Sequence, residues 1–263
     1  MVKRRTLATR AFGAEPGLPD TAGLADWIAE HRGRTADLVT YRLWQSLAPQ
    51  VPAGIGLPCA GGRFYEDRIL QCLAGVTDKR AAGEIHVDPP AIIEDAAGIV
   101  VQAKGAWCAM PAPHGLGIAD GYYHDEDEWG MAICEAYRSI MRAMRDTGVA
   151  GHVLIADHMD ETELAALARQ NVFFFSPTPD RETLAMLLER QKQVAAGKDQ
   201  LQTVFDLTSE FTLKRIFIID PDRASIGLAL SHLDPDQVIA AGYHAEGNGD
   251  YWKNIVSHAE YLE

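Results

Sequence analysis

Short apolar runs, each followed at once by a polar residue, mark the second half of the chain. The three clearest runs span residues 153–156, 172–175 and 216–219. Near-continuous apolar runs of this length are typical of strands that are covered on both faces, as in a parallel sheet. A helical pattern follows each run, so the sequence predicts strands and helices in alternation.

The longest helix is predicted over about 126–147, where apolar residues recur every three or four positions. Gly148 then stands where a helix commonly ends. Other predicted elements are two short helices within 21–47, helices over 63–74 and 161–169, helices starting at Pro179 and Arg223, a final helix capped by Asp250, and strands at 99–101, 106–108 and 202–206. Residues 238–243 fit either a strand or a short helix.

Strands that alternate with helices of about ten residues imply right-handed β-α-β crossovers. The predicted fold class is therefore α/β, a mostly parallel, doubly wound, Rossmann-like sheet flanked by helices, with a helical N-terminal region. A barrel of eight β/α units is the less favoured alternative, because the first 97 residues show too few strands. We expect residues 1–97 to form a helix-rich region packed on an α/β sheet domain of residues 98–263, with one continuous domain left open.

The charge and the composition of the chain argue against several classes of function. The net charge of −13 argues against a duplex nucleic-acid binder and against docking on an anionic membrane. Apolar residues make up 47% of the chain, yet no apolar stretch is long enough to cross a membrane. The basic start, residues 1–10, lacks an apolar segment, so we expect a flexible tail rather than a secretory signal. The four cysteines form no C-x-x-C pair, which favours a reducing cytoplasm.

Nucleotide-binding fingerprints are not found in the sequence. There is no phosphate-binding G-x-x-x-x-G-K-[ST] loop. Gly115 and Gly117 open like the dinucleotide fingerprint, but the next glycine, Gly121, falls one position late and an acidic cluster follows. The sequence therefore predicts no nucleotide cofactor of the usual kind.

Polar residues at the predicted strand ends are the main candidates for a site, because the ligand crevice of a parallel sheet lies beyond the carboxyl ends of its strands. Asp157 and Asp220 would hold a divalent metal if their strands are neighbours in the sheet. His158 or His244 would serve as general base or as an extra ligand, and His114 would lie on a closing loop. The metal would be Mg²⁺, Mn²⁺ or Zn²⁺.

Weaker candidates surround this set. Asp120 and His124 share a glycine-rich loop with His114, and two imidazoles with a carboxylate can bind a transition metal. Glu246 and Asn248 follow His244 in a polar, glycine-rich stretch. Each candidate also has a structural interpretation, in which the carboxylates bond nearby loop amides and the imidazoles lie in solvent.

The working hypothesis is a cytoplasmic enzyme, a divalent-metal-dependent hydrolase of a small polar substrate. One alternative is a non-catalytic protein that binds a small ligand or regulates a partner. Another is a transferase whose cofactor loop departs from the usual glycine pattern. The expected partner is a small molecule rather than nucleic acid or membrane, with a homo-oligomer left open.

Overall fold

The computed structural model describes residues 4–31, 36–244 and 249–262 of the 263-residue chain. Strands and helices alternate along nearly all of it. The described strands are β1 (Arg4–Thr6), β2 (Ala8–Ala14), β3 (Cys59–Gly61), β4 (Leu73–Thr77), β5 (Arg80–Val87), β6 (Trp107–Pro111), β7 (His152–Ile155), β8 (Val172–Phe175), β9 (Gln193–Gly197), β10 (Arg215–Ile219), β11 (Val238–His244) and β12 (Glu260–Leu262).

Helices occupy most of the connections between these strands. The described helices are α1 (Thr21–Glu30), α2 (Leu38–Leu47), α3 (Gln50–Ala53), α4 (Glu66–Cys72), α5 (Pro90–Gln102), α6 (Glu126–Thr147), α7 (Glu161–Leu167), α8 (Arg181–Gln191), α9 (Leu201–Leu207), α10 (Arg223–Leu230) and α11 (Gly249–His258). None of the described helices combines the length and the hydrophobicity needed to cross a membrane.

Eight of the described strands run parallel, and their spatial order in the sheet is the order in which they occur along the chain. Strands β3, β6, β7 and β8 form one hydrogen-bonded run, and β9, β10, β11 and β2 form the other. The first and second strands of this set, β2 and β3, meet through a parallel bridge between Arg10 and Leu57, where the Ala11 amide donates to the Leu57 carbonyl oxygen at 3.0 Å. This order, with the last strand β11 paired to the first strand β2, is that of a (β/α)₈ barrel.

One side chain closes the remaining gap in the ring, between β8 and β9. Gln191, the last residue of α8, donates from Nε2 to the carbonyl oxygens of Phe174 and Gln193, both at 3.0 Å. Its Oε1 accepts from the Phe174 amide at 3.0 Å. The glutamine amide therefore satisfies backbone groups that a strand-to-strand ladder satisfies elsewhere in the barrel.

The predicted class, α/β with parallel strands flanked by helices, is confirmed. The strand order, however, has no reversal of the kind that creates the crevice of a doubly wound sheet. The sequence pattern missed the barrel because β2 is interrupted by the polar residues Thr9 and Arg10, and β3 has three residues. Strands this short or this polar give no apolar run to detect.

Arg10 lies inside the barrel among aromatic rings. Its guanidinium carbon is 4.2 Å from the ring centroid of Trp107 and 4.9 Å from that of Phe217. Among the described residues, its Nε and Nη2 have no hydrogen-bond partner. Burial lowers the pKa of Arg10 to about 10, and the ring faces of Trp107 and Phe217 provide cation–π attraction in place of water.

The prediction of the longest helix is correct, whereas the predictions of two short strands are not. The long helix over 126–147 is confirmed to the residue, and Gly148 adopts φ +117°, the left-handed end that glycine favours. The predicted strands at 99–101 and 202–206 are wrong, because these segments lie in α5 and α9. Apolar runs of this length are ambiguous between a buried strand and a buried helix face.

The start of the chain also differs from the prediction. The expected flexible basic tail contains β1 and the beginning of β2, and β1 pairs antiparallel with β12 near the other end of the chain. The boundary predicted at residue 97 falls inside α5, and strands from both sides of it, β3 and β6, are paired. The division of the chain into domains stays a prediction.

Candidate functional site

The barrel brings together the residues that follow its strands. In a closed parallel barrel the carboxyl ends of all strands open on the same face, where loops of different strands meet. The polar residues that follow or end these strands are Glu15, Arg63, His114, Asp157, His158, Ser176, Lys198, Asp220, Tyr243 and His244. The predicted site residues therefore lie on this carboxyl face, together with several that the sequence did not single out.

Arg63 and Asp157 form an ion pair across this face. Arg63 follows β3, and its Nη2 and Nη1 lie 2.6 Å and 3.2 Å from the two carboxylate oxygens of Asp157, which follows β7. The Arg63 backbone amide donates to the Glu15 carboxylate. Gly62 makes this approach possible, since a Cβ there would collide with Glu15 and with the Ala14 carbonyl oxygen. The predicted metal ligand Asp157 is thus the partner of an arginine.

Glu15, directly after β2, contacts two further groups. Its Oε1 accepts a hydrogen bond from the Tyr243 hydroxyl at 2.8 Å, and its Oε2 lies 3.9 Å from Arg42 Nη2. Burial and the neighbouring Glu15 carboxylate raise the pKa of Tyr243, so this phenol stays protonated at neutral pH. Glu15, Arg63 and Tyr243 were missed because no sequence motif marks them.

His114 is oriented by a carboxylate from α7. Its Nδ1 lies 2.9 Å from Glu163 Oε2, and its backbone amide donates to Glu163 Oε1 at 2.6 Å. Asp160 caps α7, and the Glu163 side chain turns to His114. The hydrogen bond to Glu163 raises the pKa of His114. Because Nδ1 is engaged, Nε2 is the atom of this ring that can exchange a proton with a ligand.

His158 packs against the same histidine. The ring centroids of His114 and His158 are 4.4 Å apart, so two loops that are 44 positions apart in the chain meet at one point of the carboxyl face. The structure brings together these two predicted residues, and it adds Glu163 as the group that orients one of them. A histidine held by a carboxylate is a common arrangement for a general base.

Asp220 belongs to a second cluster, on the other side of the face. It follows β10 with φ +51°, an uncommon conformation for a residue other than glycine. The hydroxyl of Tyr251 donates to its carboxylate, and the same hydroxyl accepts from the Tyr243 amide at 3.0 Å. The ring of His244 stacks on Tyr251 with centroids 4.2 Å apart. Glu246 and Asn248, predicted with His244, lie outside the described residues.

The two predicted metal ligands do not share a metal site in this arrangement. The prediction required their strands to be neighbours, but β8 and β9 stand between β7 and β10 in the barrel. Asp157 is paired with Arg63 and Asp220 with Tyr251. Within residues 4–31, 36–244 and 249–262, no group of three or more His, Cys, Asp or Glu side chains is placed to hold a metal ion.

The carboxylate of Asp120, in the loop before α6, has a structural role. Asp120 accepts hydrogen bonds from the backbone amides of Tyr122, Tyr123 and His124 at 2.7–2.9 Å. These amide donors, with Tyr122 the largest contributor, lower the pKa of Asp120. The predicted combination of Asp120, His124 and His114 as a transition-metal site is therefore not formed, and Asp120 holds the turn.

The comparisons with known proteins give structural matches alone. No family model matches the chain, and no curated protein matches it by sequence. A protein from Listeria monocytogenes, provisionally described as a vitamin B12-independent methionine synthase, has a TM-score of 0.65 at 16% identity, covering 97% of this chain and 98% of that one. A B12-independent methionine synthase from Shewanella sp. W3-18-1, solved with selenomethionine, has a TM-score of 0.62 at 14% identity, covering 97% of each chain.

A third structure, a methyltransferase from Methanosarcina mazei, matches with a TM-score of 0.52 at 11% identity, covering 97% of this chain and 93% of that one. At these identities the likeness establishes the fold. The likeness extends over nearly the whole length of each protein, so it includes both the barrel and the segments outside the barrel.

These findings overturn the hypothesis of a divalent-metal-dependent hydrolase. The proteins that share the fold end to end are described as methionine synthases and a methyltransferase, which are group-transfer enzymes. The described residues also offer no ligand group for the predicted metal centre. The hydrolase prediction is therefore wrong.

Proposed function

We propose that the protein is a methyltransferase that works at the carboxyl face of the barrel, with a small thiol as methyl acceptor. The observation that carries the proposal is the paired His114–Glu163, 2.9 Å apart, on the ligand-binding face of a fold shared along its whole length with methionine synthases. Methionine is a thioether, and a thioether forms when a thiol sulfur receives a methyl group.

The residues support a base-assisted transfer. An ordinary thiol has a pKa of about 8.5, so it must lose its proton to become a strong nucleophile near neutral pH. In this proposal Nε2 of His114 takes the thiol proton, and Glu163 stabilises the imidazolium that forms. The sulfur–methyl bond forms as the donor–methyl bond breaks, and the electron pair of the broken bond leaves with the donor.

The net charge of the chain suggests the class of methyl donor. Arg63 and Arg42 offset Asp157 and Glu15 on the carboxyl face, but the whole chain carries a net charge of −13. A strongly acidic protein attracts cations. We therefore propose a donor whose methyl group is bonded to a positively charged sulfur or nitrogen, which departs as a neutral molecule.

A deuterium-label assay tests the proposal. The protein is incubated with small thiols and a trideuteromethyl sulfonium or ammonium donor, and mass spectrometry detects the trideuteromethyl thioether. His114→Asn should lower the rate about 10²-fold or more, since general bases contribute about 10²–10⁴-fold. His86→Asn, a change of an exposed histidine on the β4–β5 hairpin, should leave the rate unchanged.

Absence of labelled thioether with both donor classes would overturn the proposed function. Binding of selenomethionine, the compound seen with the Shewanella protein, is an independent check on the thioether product class. The divalent metal stays a prediction, and comparing the rate with and without added Mg²⁺, Mn²⁺ or Zn²⁺ in the same assay checks it.

A further inference from the structure

A cavity lies outside the barrel, between α1, α2 and α5. Its volume is about 470 Å³, within the range of about 300–1,000 Å³ typical of small-molecule sites. Trp27 of α1, Trp44 of α2 and Val101 of α5 line it, and Trp44 and Val101 are 43% and 86% exposed. The strand-end residues of the carboxyl face do not belong to its lining, so it is separate from the site described above.

Aromatic rings form one wall of this cavity. The rings of Trp27 and His31 stack with centroids 4.2 Å apart, and Tyr41 meets Trp27 edge-on at 5.6 Å. The end of α2 that carries Trp44 is tied to α5, because Gln102 Nε2 donates to the Trp44 carbonyl oxygen at 3.2 Å. Ordered aromatic side chains of this kind attract organic cations.

Two buried polar atoms of the lining residues lack partners. Among the described residues, Asp95 Oδ1 and Trp27 Nε1 have no hydrogen-bond partner. The other carboxylate oxygen of Asp95 accepts from Arg68 Nε at 2.7 Å and from the Tyr65 hydroxyl at 3.0 Å. Oδ1 of Asp95 is covered by protein atoms, so it acts on the cavity through its charge, which no hydrogen bond from the described residues to this oxygen offsets.

The charge near the cavity is negative. Arg68 and Asp95 are buried, and Arg68 also pairs with the partly exposed Asp37 at 2.8 Å, so this cluster of one cation and two carboxylates has a net charge of −1. Burial raises the pKa of Asp95 to about 6, which shows that Arg68 only partly offsets the cost of burying the carboxylate. The charged residues of the lining are the acids Glu94 and Asp95. A carboxylate shielded from water acts on nearby charges more strongly than an exposed one.

We propose that this cavity binds a small organic cation with an apolar body, such as an aryl-alkylammonium ion. The aromatic wall holds the apolar body, and the ammonium group lies on the side of Glu94 and Asp95, whose negative charge attracts it. The inference is independent of the methyl-transfer activity, since it depends on helices outside the barrel.

A pair of matched probes tests the charge preference. Isothermal titration calorimetry with 2-phenylethylammonium is compared with the same titration of neutral 2-phenylethanol, a molecule of similar size. We expect the ammonium ion to bind at least about tenfold more tightly, as a desolvated cation–π contact supplies that much. Equal affinities, or no binding of the ammonium ion, would overturn the proposal.

Gly98 provides a variant that fills the cavity and keeps the fold. Gly98 lines the cavity on α5, and a Cβ built on it meets no atom within 4 Å. Gly98→Leu should therefore fold normally, since leucine also favours helices over glycine, and should weaken ammonium binding at least about tenfold. Gly227→Leu is the matched control, because Gly227 is a helical glycine in α10 with the same open surroundings.

Two further outcomes are informative. Asp95→Asn keeps the shape of the side chain and should remove the preference for the ammonium ion over the alcohol; Gly98→Leu still tests the cavity if the Asn variant does not fold. Sedimentation of wild type and Gly98→Leu tests another occupant. A concentration-dependent dimer that Gly98→Leu abolishes would assign this face to a second copy of the chain and overturn the small-cation proposal.

Discussion

The polar side chains of the carboxyl face bond one another across large distances in the chain. Asp157 pairs with Arg63, 94 positions away, and His114 pairs with Glu163, 49 positions away. Each pair joins residues from different β/α units. A carboxylate in such a pair has its charge offset by its neighbour, which explains why acids at strand ends do not by themselves make a metal site.

The His114–Glu163 pair should control the pKa of the histidine. Glu163→Gln removes the negative charge, so we expect the pKa of His114, followed by NMR titration, to fall relative to wild type. In the wild type the folded-state pKa lies above the unfolded value of about 6.5. The stabilisation is therefore complete below pH 6.5 and is lost as the pH rises through the folded-state pKa.

The stability change at low pH checks the same pair. Below pH 6.5, Glu163→Gln should lower the free energy of unfolding by about 1.5–3 kcal/mol, the usual contribution of a hydrogen bond to a charged group. Glu161→Gln, an exposed change in the same helical turn, is the control and should stay within about 0.5 kcal/mol of wild type. An unchanged His114 pKa in Glu163→Gln would contradict the assigned contact.

His152 should make the protein sensitive to acid. This residue of β7 is fully buried, and neither ring nitrogen has a hydrogen-bond partner among the described residues. Burial lowers the pKa of His152 to about 3. The unfolded chain takes up a proton below about pH 6.5 while the folded chain does not, so stability is lost as the pH falls from 6.5 toward 3.

Urea unfolding at pH 7 and pH 4 measures this effect. We expect wild type to lose on the order of 3 kcal/mol from His152 between these two values. Between the same two pH values, the free energy of unfolding of His152→Leu should fall less than that of wild type, by about the 3 kcal/mol assigned to His152. His86→Leu, a change of an exposed histidine, should behave as wild type does. The same acid sensitivity in His152→Leu would show that His152 is not its source.

At the scale of secondary structure, one glutamine replaces a strand-to-strand ladder. Gln191 bonds backbone groups of β8 and β9, which are otherwise unpaired with each other. Gln191→Ala leaves these groups without their partners, so we expect a loss of about 2–4 kcal/mol in the free energy of unfolding. Chemical denaturation measures it.

The matched control for that change is Gln202→Ala. Gln202 also makes a side-chain hydrogen bond at 3.0 Å, to Asp206, but it lies on the exposed face of α9. This substitution should cost less than about 0.5 kcal/mol. Equal losses in the two variants would mean that Gln191 does not close the barrel.

Element predictions succeed where local signals are repeated. α6 has six helical turns of recurring apolar positions, an aspartate N-cap at Asp125 and a glycine end at Gly148, so several independent signals agree. The segment 202–206 contains two adjacent apolar residues, Val204 and Phe205, which suit a strand or a helix face equally. Packing against neighbouring elements of the fold, rather than the local sequence, determines that this segment forms α9.

For the whole molecule, the closure of the barrel makes the first strands indispensable. β2 pairs with β11, and β3 pairs with β6. A fragment of residues 98–263 would expose both unpaired edges, so we expect it to show no cooperative thermal transition by circular dichroism, whereas the full chain does. A cooperative transition in the fragment would instead support the division predicted at residue 97.

The site could be located in general but not assembled from the sequence. Asp157, His158 and Asp220 were found because each follows an apolar run, and the carboxyl ends of parallel strands face the same way in an open sheet and in a barrel. Their relationships were not predictable. Whether Asp157 and Asp220 are neighbours depends on strand order, and strand order depends on pairings between β2, β3 and the rest that leave no local trace.

The sequence by itself determined the α/β class, the parallel character of the later strands and the longest helix, because these follow from apolar periodicity and helix-end signals within short stretches. Only the tertiary structure decided that the sheet closes into a barrel, that Arg63 and Glu163 hold Asp157 and His114, and that a cavity opens between α1, α2 and α5. These features arise from contacts between distant residues, whose free energies depend on burial and distance rather than on any pattern along the chain.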